Sequence, residues 1–344
     1  MLITGTSGQG KTYAIQTLLY ELSKSDISAV VFDYKEGFRE DQLSPEFVAD
    51  MGDKLQENYI YLNGVPINPF TRHEINFAGR IIKEKPADVA TRIATILSNV
   101  KGFGDQQYAA IFDIAKNGLN KYGDQMDMSK FFLELKQEAS KNKYAQSVDS
   151  KLSPLFETVE FKPDANFSWD KLLYNDTATL NVFQLSMIDR RIQVVITELM
   201  LWDAWYYTQK CGNEKKPFIV VLDEAQNLSH KDGSPSSKIL VEGRKFGWSA
   251  WFATQSLNVL TDEEVTRLCQ AGFRLYFKPS NDEIMKIAKQ IDPTNANSWL
   301  DPLKTLKKGQ CITQGDRIRP DGTFGNVKPT ITNVSSFEER KGEE

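Results

Sequence analysis

The first residues with a recognisable chemistry are in the stretch GTSGQGKT, which runs from Gly5 to Thr12. It fits the phosphate-binding pattern G-x-x-x-x-G-K-[ST]. In such a loop the backbone amides turn inward around phosphates, the lysine reaches the β and γ phosphates, and the hydroxyl ligates magnesium. The alternative is a glycine-rich turn with a solvent-facing lysine. We predict binding of ATP with Mg²⁺ through Gly5, Thr6, Ser7, Gly8, Gln9, Gly10, Lys11, Thr12 and Tyr13.

Later in the chain, two apolar stretches each end in polar residues that are further candidates for the site. FIVVLDEAQ ends in Asp223 and Glu224, which we predict to hold the magnesium through water and to activate the attacking water. An apolar strand followed by Asp and Glu is common by itself, but together with the loop it indicates nucleotide hydrolysis. Gln255 ends the stretch WFATQS and would project toward the γ phosphate, although a simple turn glutamine explains it equally well.

These side chains require a sheet whose strands end at a common edge. Apolar, strand-like segments occur at SAVVFDY, ATLNVFQLS, PFIVVLDEA, GWSAWFATQS and AGFRLYFK, and helical patterns alternate with several of them. This alternation predicts an α/β fold of the P-loop NTPase type, with a largely parallel sheet flanked by helices. Residues 36–175 instead contain mainly helical patterns interrupted by Gly and Pro, and we interpret them as a mostly helical insertion.

Composition limits the classes of function. The 42 basic and 46 acidic residues give a net charge of -4, so any contact with nucleic acid must be local. Cys211, Cys269 and Cys311 form no CxxC pair and have neither His73 nor His230 nearby in sequence, which argues against a zinc site. No apolar run is long enough for a membrane span and no signal peptide precedes the first motif, so we expect no membrane insertion and a cytoplasmic location.

Taken together, these stretches resemble the HerA/FtsK superfamily of hexameric P-loop motors, which includes DNA-pumping translocases and the ATPases of conjugative secretion. The matching segments, in the superfamily's order, are ITGTSGQGKT, VVFDYKEGF, INPF, VVLDEAQNL, EGRKFGWSAWFATQS, AGFRLYFKPSND and LKKGQCITQG. Within the superfamily, the loop and the EGRKFG segment are most similar to the carboxy-terminal motor region of DptH-type proteins of phosphorothioation-linked DNA restriction.

The resemblance implies a RecA-like ATPase core formed by residues 1–35 and 176–330, interrupted by the insertion 36–175 and followed by a charged tail, 331–344, that we expect to be frayed. Relatives usually carry a longer strand, and often an entire domain, before the loop. Because only Met1 to Thr4 precede Gly5, we expect the chain to be a piece of a larger protein.

The resemblance also implies roles for individual residues. Lys11 and Thr12 would bind phosphate and magnesium, Asp223 and Glu224 would form the Walker B pair, and Gln255 would sense the γ phosphate. These implied roles agree with those that the residue types and their spacing suggest.

Further roles rest on the resemblance alone. Asp33 matches an acidic position near the nucleotide, and Arg244 matches an arginine that completes the site in cis or toward a neighbouring subunit. Arg267 and Arg274 compete with Arg244 for the role in trans, and a solvated helix face is the plainer interpretation of Arg244 and Lys245. An isolated monomer should then hydrolyse ATP poorly.

Two loops are candidates for contacts with DNA in the pore of such a ring. NVKGFGDQQY contains Lys101 and Phe103, and SHKDGSPSSK contains His230, Lys231 and Lys238, although each is equally consistent with an ordinary solvated turn. We expect an ATPase motor that translocates or unwinds DNA in restriction, defence or processing, as a hexameric ring with further protein partners. The alternatives are a secretion-type ATPase that energises conjugative or protein transport, and an ATP-binding assembly module with little turnover.

Overall fold

A computed structural model describes residues 1–77, 79–175, 177–318, 322–335 and 337–341, without the side chains of residues 76, 77, 100, 101, 338 and 341. Its strands are β1 (Leu2–Thr4), β2 (Ala29–Asp33), β3 (Leu55–Tyr59), β4 (Glu74–Phe77), β5 (Arg80–Lys83), β6 (Leu180–Gln184), β7 (Phe218–Leu222), β8 (Trp248–Thr254), β9 (Phe273–Phe277), β10 (Gln310–Ile318) and β11 (Phe324–Asn333).

One sheet holds nine of these strands in the order β11-β10-β9-β1-β8-β7-β2-β6-β3. From β9 to β3 all neighbours are parallel, whereas β10 pairs antiparallel with both β9 and β11. The predicted P-loop NTPase fold with a largely parallel sheet is therefore confirmed. Because parallel strands share one direction, the carboxyl ends of β1, β2, β7 and β8 meet at the same edge of the sheet.

Helices cover both faces of the sheet. They are α1 (Lys11–Ser23), α2 (Pro45–Met51), α3 (Ile60–Asn63), α4 (Pro86–Lys101), α5 (Asp105–Tyr122), α6 (Met128–Ala139), α7 (Lys143–Thr158), α8 (Trp169–Leu173), α9 (Arg190–Cys211), α10 (Pro235–Glu242), α11 (Asp262–Leu268), α12 (Ile284–Ile291), α13 (Leu300–Thr305) and α14 (Phe337–Lys341). No helix among the residues described is both long and apolar enough to cross a bilayer.

Two hydrophobic cores lie on the opposite faces of the sheet. Successive strand residues alternate between them, so that Leu2 and Phe32 belong to the larger core, while Ile3 and Val31 belong to the smaller one. The larger core contains the buried faces of α4 to α7 and most of α9, and the smaller contains α1 and α2. A central sheet buried on both faces gives the strand ends a rigid frame.

The region 36–175 contains more than helices. Strand β3, with the polar sequence LQENY, pairs with β6 and forms an edge of the main sheet, and β4 and β5 form a separate two-stranded ribbon. The division of the chain at residues 35 and 175 stays a prediction, and β3 belongs structurally to the sheet.

The carboxy-terminal tail differs from the expected frayed segment over the part that the structure describes. Strand β11 continues to Asn333, and α14 packs against α1 and α2. The Phe337 ring is buried and lies 4.6 Å from that of Tyr20 and 5.5 Å from that of Phe47, between ring centroids. One aromatic residue in a charged tail thus fixes the segment by burying apolar surface.

Candidate active site

The loop from Gly5 to Gly10 connects the carboxyl end of β1 to the first residue of α1, as a phosphate-binding loop requires. Gly5, Gly8 and Gly10 have positive φ angles of 147°, 77° and 104°, which residues with a Cβ rarely adopt. The Lys11 Nζ donates hydrogen bonds to the carbonyl oxygens of Gly5 at 2.6 Å and of Thr6 at 3.0 Å. The lysine therefore lies inside the curve of the loop.

Neighbouring elements hold the loop from outside. The backbone N–H and the hydroxyl of Thr6 both donate to the Lys278 carbonyl after β9, and the Gly309 N–H donates to the carbonyl of Gln9. Beside the loop is a cavity of about 310 Å³ lined by Gly10, Tyr13, Lys308, Gly309, Val334, Ser335 and Glu339. The Tyr13 side chain, 55% exposed, is thus placed where the rest of a nucleotide could extend from the loop.

Alanine at Gly5 is expected to destabilise the protein by about 1–3 kcal/mol, as overpacking does. The added Cβ would lie 2.6 Å from the Phe277 Cβ and 3.0 Å from the Phe277 carbonyl group, so the end of β9 would have to move. Gly8→Ala is the matched control, because Gly8 also has positive φ but no atom within 4 Å of its added Cβ. Urea unfolding should show the larger loss for Gly5→Ala, and equal losses would contradict this account of the loop.

The two carboxylates that follow β7 lie opposite this loop. The pKa of Asp223 is raised to about 6, mainly by burial and to a lesser extent by the negative charges of Glu224 and Asp33. The pKa of Lys11 is lowered by burial, and the charges of Asp223 and Glu224 counteract that shift. Such a surplus of negative charge suits a divalent cation, and a carboxylate with one hydroxyl and phosphate oxygens is a donor set that Mg²⁺ accepts. The residues present therefore fit ATP with Mg²⁺, with Thr12 and Asp223 as the protein donors.

Glu224 is buried and is held in a left-handed backbone conformation, with φ 54°. Its Oε1 accepts from the Gln255 Nε2 at 2.6 Å and lies 2.7 Å from the Lys35 Nζ. Its Oε2 accepts from the Gln226 Nε2 at 2.6 Å and lies 3.8 Å from the Arg190 Nη2. Burial would raise the pKa of Glu224, but Lys35 and the two glutamines outweigh it and hold that pKa below its ordinary value.

Asp33 lies close to the site, but its carboxylate is occupied by the backbone. Its oxygens accept hydrogen bonds from the N–H groups of Lys35, Gly37 and Phe38, at 3.0, 3.2 and 2.7 Å. The same turn is tied to α1 by a 2.7 Å bond from the Gln16 Nε2 to the Gly37 carbonyl. Asp33 therefore shapes the turn that presents Lys35 to Glu224.

Arg244 does not join this cluster within one subunit. It is exposed in the 3₁₀ turn Gly243–Phe246, just before β8 begins, whereas Gln255 follows the end of the same strand. The seven residues of β8 separate the two by about 20 Å at 3.3 Å per residue. This placement puts Arg244 at the amino edge of the sheet, away from the loop and the carboxylates of its own subunit.

The competing arginines are placed differently. Arg267 is engaged within the subunit, since it donates to the His230 carbonyl at 2.8 Å and to Glu263 at 2.6 Å. Arg274 is only partly exposed near the start of β9, also at the amino edge of the sheet. Of the three arginines, Arg244 is the exposed one.

One of the expected DNA-contacting residues needs correction. His230 is fully buried, with its Nδ1 2.9 Å from the Ser236 hydroxyl and its Nε2 2.7 Å from the Ala225 carbonyl, and burial lowers its pKa. It therefore supports the turn after Walker B and cannot face a pore. Lys231 is exposed, whereas Lys238 lies over the ring of Trp202.

In the other loop, Phe103 packs against the larger core with Lys151 above its ring. The side chain of Lys101 lies outside the described part of the chain.

The sequence interpretation missed four residues that build the site. Lys35, Arg190 and Gln226 contact Glu224; Lys35 and Gln226 lie inside quoted stretches but were given no role, and Arg190 lies in none of them. The fourth, Glu283, is fully buried and accepts from the Ser256 hydroxyl and from the N–H groups of Leu257 and Asn258. It fixes the chain that follows Gln255, and its only signal in the sequence was its position directly after the matched stretch AGFRLYFKPSND.

Solved structures with this fold are VirB4 of Thermoanaerobacter pseudethanolicus and the plasmid coupling protein TrwB in complex with ADP and Mg²⁺. VirB4 aligns with a TM-score of 0.64 and 16% identity, over 98% of this chain and 90% of its own. TrwB aligns with a TM-score of 0.62 and 14% identity, over 98% and 86%. At these identities the likeness establishes the fold.

No curated protein sequence matches the chain. The model of the AAA-like domain family matches residues 1–321 and so includes the phosphate-binding loop, both carboxylates and Gln255. Because this match covers most of the 344 residues, the chain belongs to the AAA-like domain family.

Proposed function

We propose that this protein is an Mg²⁺-dependent ATPase motor that moves DNA or nucleoprotein. The observation that carries the proposal is the meeting, at one edge of the sheet, of Lys11 in its loop with the carboxylates Asp223 and Glu224 and the amide of Gln255. A site that only binds nucleotide does not need a second carboxylate bonded to a sensor side chain. This arrangement therefore favours turnover over an assembly module.

The hydrolytic step follows from these positions. Glu224 accepts a proton from water as the water oxygen bonds to the γ phosphorus, and the bond from the γ phosphorus to the bridging oxygen breaks. Mg²⁺ held by Thr12 and Asp223 would neutralise charge on the β and γ oxygens. Lys11 donates to those oxygens once the loop carbonyls release it, and Gln255 orients Glu224 and the water between them.

Arg244 extends the proposal to a ring of identical subunits. In a closed ring each subunit presents one surface to the next subunit's opposite surface. An exposed arginine at the amino edge can then reach the nucleotide at the neighbour's carboxyl edge. A hexameric ring is the assembly that we propose, and it explains why a residue far from the site in its own chain belongs to the catalytic set.

The likeness to a plasmid coupling protein favours the transport of DNA or nucleoprotein during conjugation as the work of the motor. DNA translocation or unwinding in restriction is the second candidate, and the stretch EGRKFG and its likeness to DptH-type proteins support it. Both candidates operate from the cytoplasm with partner proteins, and both predict that DNA is a ligand.

We expect linear duplex or single-stranded DNA to increase the ATPase rate of the assembled protein. Backbone phosphates attract clustered lysines and arginines, so the stimulation should fall as salt rises. The measurement is steady-state phosphate release with and without each DNA, with the particle mass recorded in the same buffer by light scattering. An assembled, active ATPase indifferent to both DNAs would contradict the DNA motor and favour a protein-transport ATPase.

A further inference from the structure

Lys35 is a charged residue of the site to which the sequence patterns assign no role. We propose that Lys35 is a positioning residue. While no nucleotide is bound, its ammonium pairs with Glu224 and keeps this carboxylate from the attacking water; when ATP binds, the ammonium moves from Glu224 to the γ phosphate. This inference rests on the proposed ATPase function and adds how Glu224 becomes free to accept a proton from water.

The first argument is that most of the acceptor sites of Glu224 are occupied. A carboxylate offers about four lone-pair sites, two on each oxygen. Lys35 and Gln255 are within 2.7 Å of Oε1, while Gln226 and Arg190 are 2.6 and 3.8 Å from Oε2. Three close donors leave one lone-pair site for water, and that site is beside the positive charge of Arg190. Departure of one donor would make Glu224 a better acceptor for the proton of water.

The second argument is that Lys35 is the group that ATP would draw away. The two glutamines are neutral, and Arg190 is held at a longer distance and also donates to Asn227. Lys35 and Lys11 both interact electrostatically with Glu224, and the positive charge of Lys35 contributes to the lowered pKa of Lys11, so the two ammonium groups belong to one cluster. The additional negative charge of a γ phosphate competes directly with Glu224 for the Lys35 ammonium.

The third argument concerns the backbone under Lys35. Its N–H is fixed by the Asp33 carboxylate, and the turn is anchored to α1 through Gln16 and Gly37. The side chain is nevertheless 55% exposed. A fixed backbone with a long, accessible side chain lets the ammonium exchange partners without moving the turn. The predicted acidic residue Asp33 then acts through Lys35.

The test compares Lys35→Met with Lys35→Arg and with Lys121→Met. Lys121 is the matched control because its ion pair with Glu134 has the same 2.7 Å length and its side chain the same 55% exposure, away from the site. The first readout is the affinity for fluorescent ATP and ADP in the Glu224→Gln background. Lys35→Met should weaken ATP binding about tenfold, as loss of a charged hydrogen bond does, and leave ADP binding unchanged.

The second readout is the pH dependence of kcat/KM in the otherwise unchanged protein, because kcat/KM reports the pKa of the base in the free enzyme, where Lys35 contacts Glu224. The charged groups facing Glu224 are Lys35, Arg190, Lys11 and Asp223, and Lys35 lowers the pKa of the base. Removing that charge raises this pKa, so kcat/KM should be lost at a higher pH on the acid side. Lys35→Arg should keep the parent midpoint, and Lys121→Met should change neither readout.

Equal weakening of ATP and ADP, or an acid midpoint that does not move, would overturn the assignment of Lys35. The comparison of ATP with ADP does not depend on whether Glu224 is the base, and Glu224→Gln tests that role separately through the loss of turnover. Thermal unfolding of Lys35→Met and Lys121→Met in parallel shows whether the two folds are equally intact.

Discussion

Glu224→Gln is expected to lower the kcat of ATP hydrolysis by about 10²–10⁴-fold, the usual contribution of a general base. The amide keeps the shape of the side chain and can still accept from Lys35 and Gln255, which now surround the carboxylate. It cannot take a proton from water. Nucleotide binding should therefore be preserved, since Lys11 and the loop are unchanged.

Single-turnover phosphate release and equilibrium binding of ATP measure the two halves of this expectation. Gln226→Ala is a useful comparison, because the Gln226 Nε2 donates a hydrogen bond to Oε2 of the same carboxylate but Gln226 takes no proton in the reaction. It should retain most of the turnover. Hydrolysis by Glu224→Gln at the parent rate would show that Glu224 is not the base. The assignment of Asp223 and Glu224 as the catalytic carboxylate pair would then be wrong.

Arg244→Ala is expected to reduce ATP turnover by about 10³–10⁵-fold in the assembled ring, as for arginines that neutralise charge developing on the γ phosphate. The defect should lie in kcat, because the charge develops in the transition state. Within its own subunit Arg244 lies at the far end of β8 from Gln255, so the fold and the loop should not change. Lys245→Ala, at the adjacent exposed position, is the control.

A mixture of Arg244→Ala and Glu224→Gln subunits separates action in trans from action in cis. Each variant alone lacks one part of every site. In a random equal mixture, about one site in four pairs an intact Glu224 with an intact Arg244 from the neighbour, if the ring interface is heterologous. ATP hydrolysis should then reappear on mixing. A mixture as inactive as its components would show that Arg244 does not act across a subunit boundary.

The sequence predicted those parts of the site that lie at strand ends. Asp223, Glu224 and Gln255 each follow an apolar strand, and parallel strands bring such ends to one edge, so their meeting with Lys11 needed no knowledge of strand order. The role of Lys35 was not predicted, because its partner Glu224 is remote in the chain and an ion pair between distant residues leaves no local pattern.

Other errors have equally local causes. Strand β3 reads LQENY, and an edge strand exposed to solvent on part of its surface lacks the apolar run that marks a buried strand. His230 lies in a loop rich in serine and lysine, a composition typical of solvated turns, yet Ser236 and the Ala225 carbonyl satisfy its ring inside the protein. Composition describes the average of a segment, whereas burial is decided residue by residue.

The three residues of β1 set the order in which a growing chain can become functional. Leu2, Ile3 and Thr4 pair with residues 252–254 on one side and 274–276 on the other, about 250 positions later in the sequence. At about 5–20 residues per second, a ribosome needs roughly 15–50 s to produce those partners. During that interval β1 has neither of its sheet neighbours, and the loop that follows it lacks the frame that holds it in the folded protein.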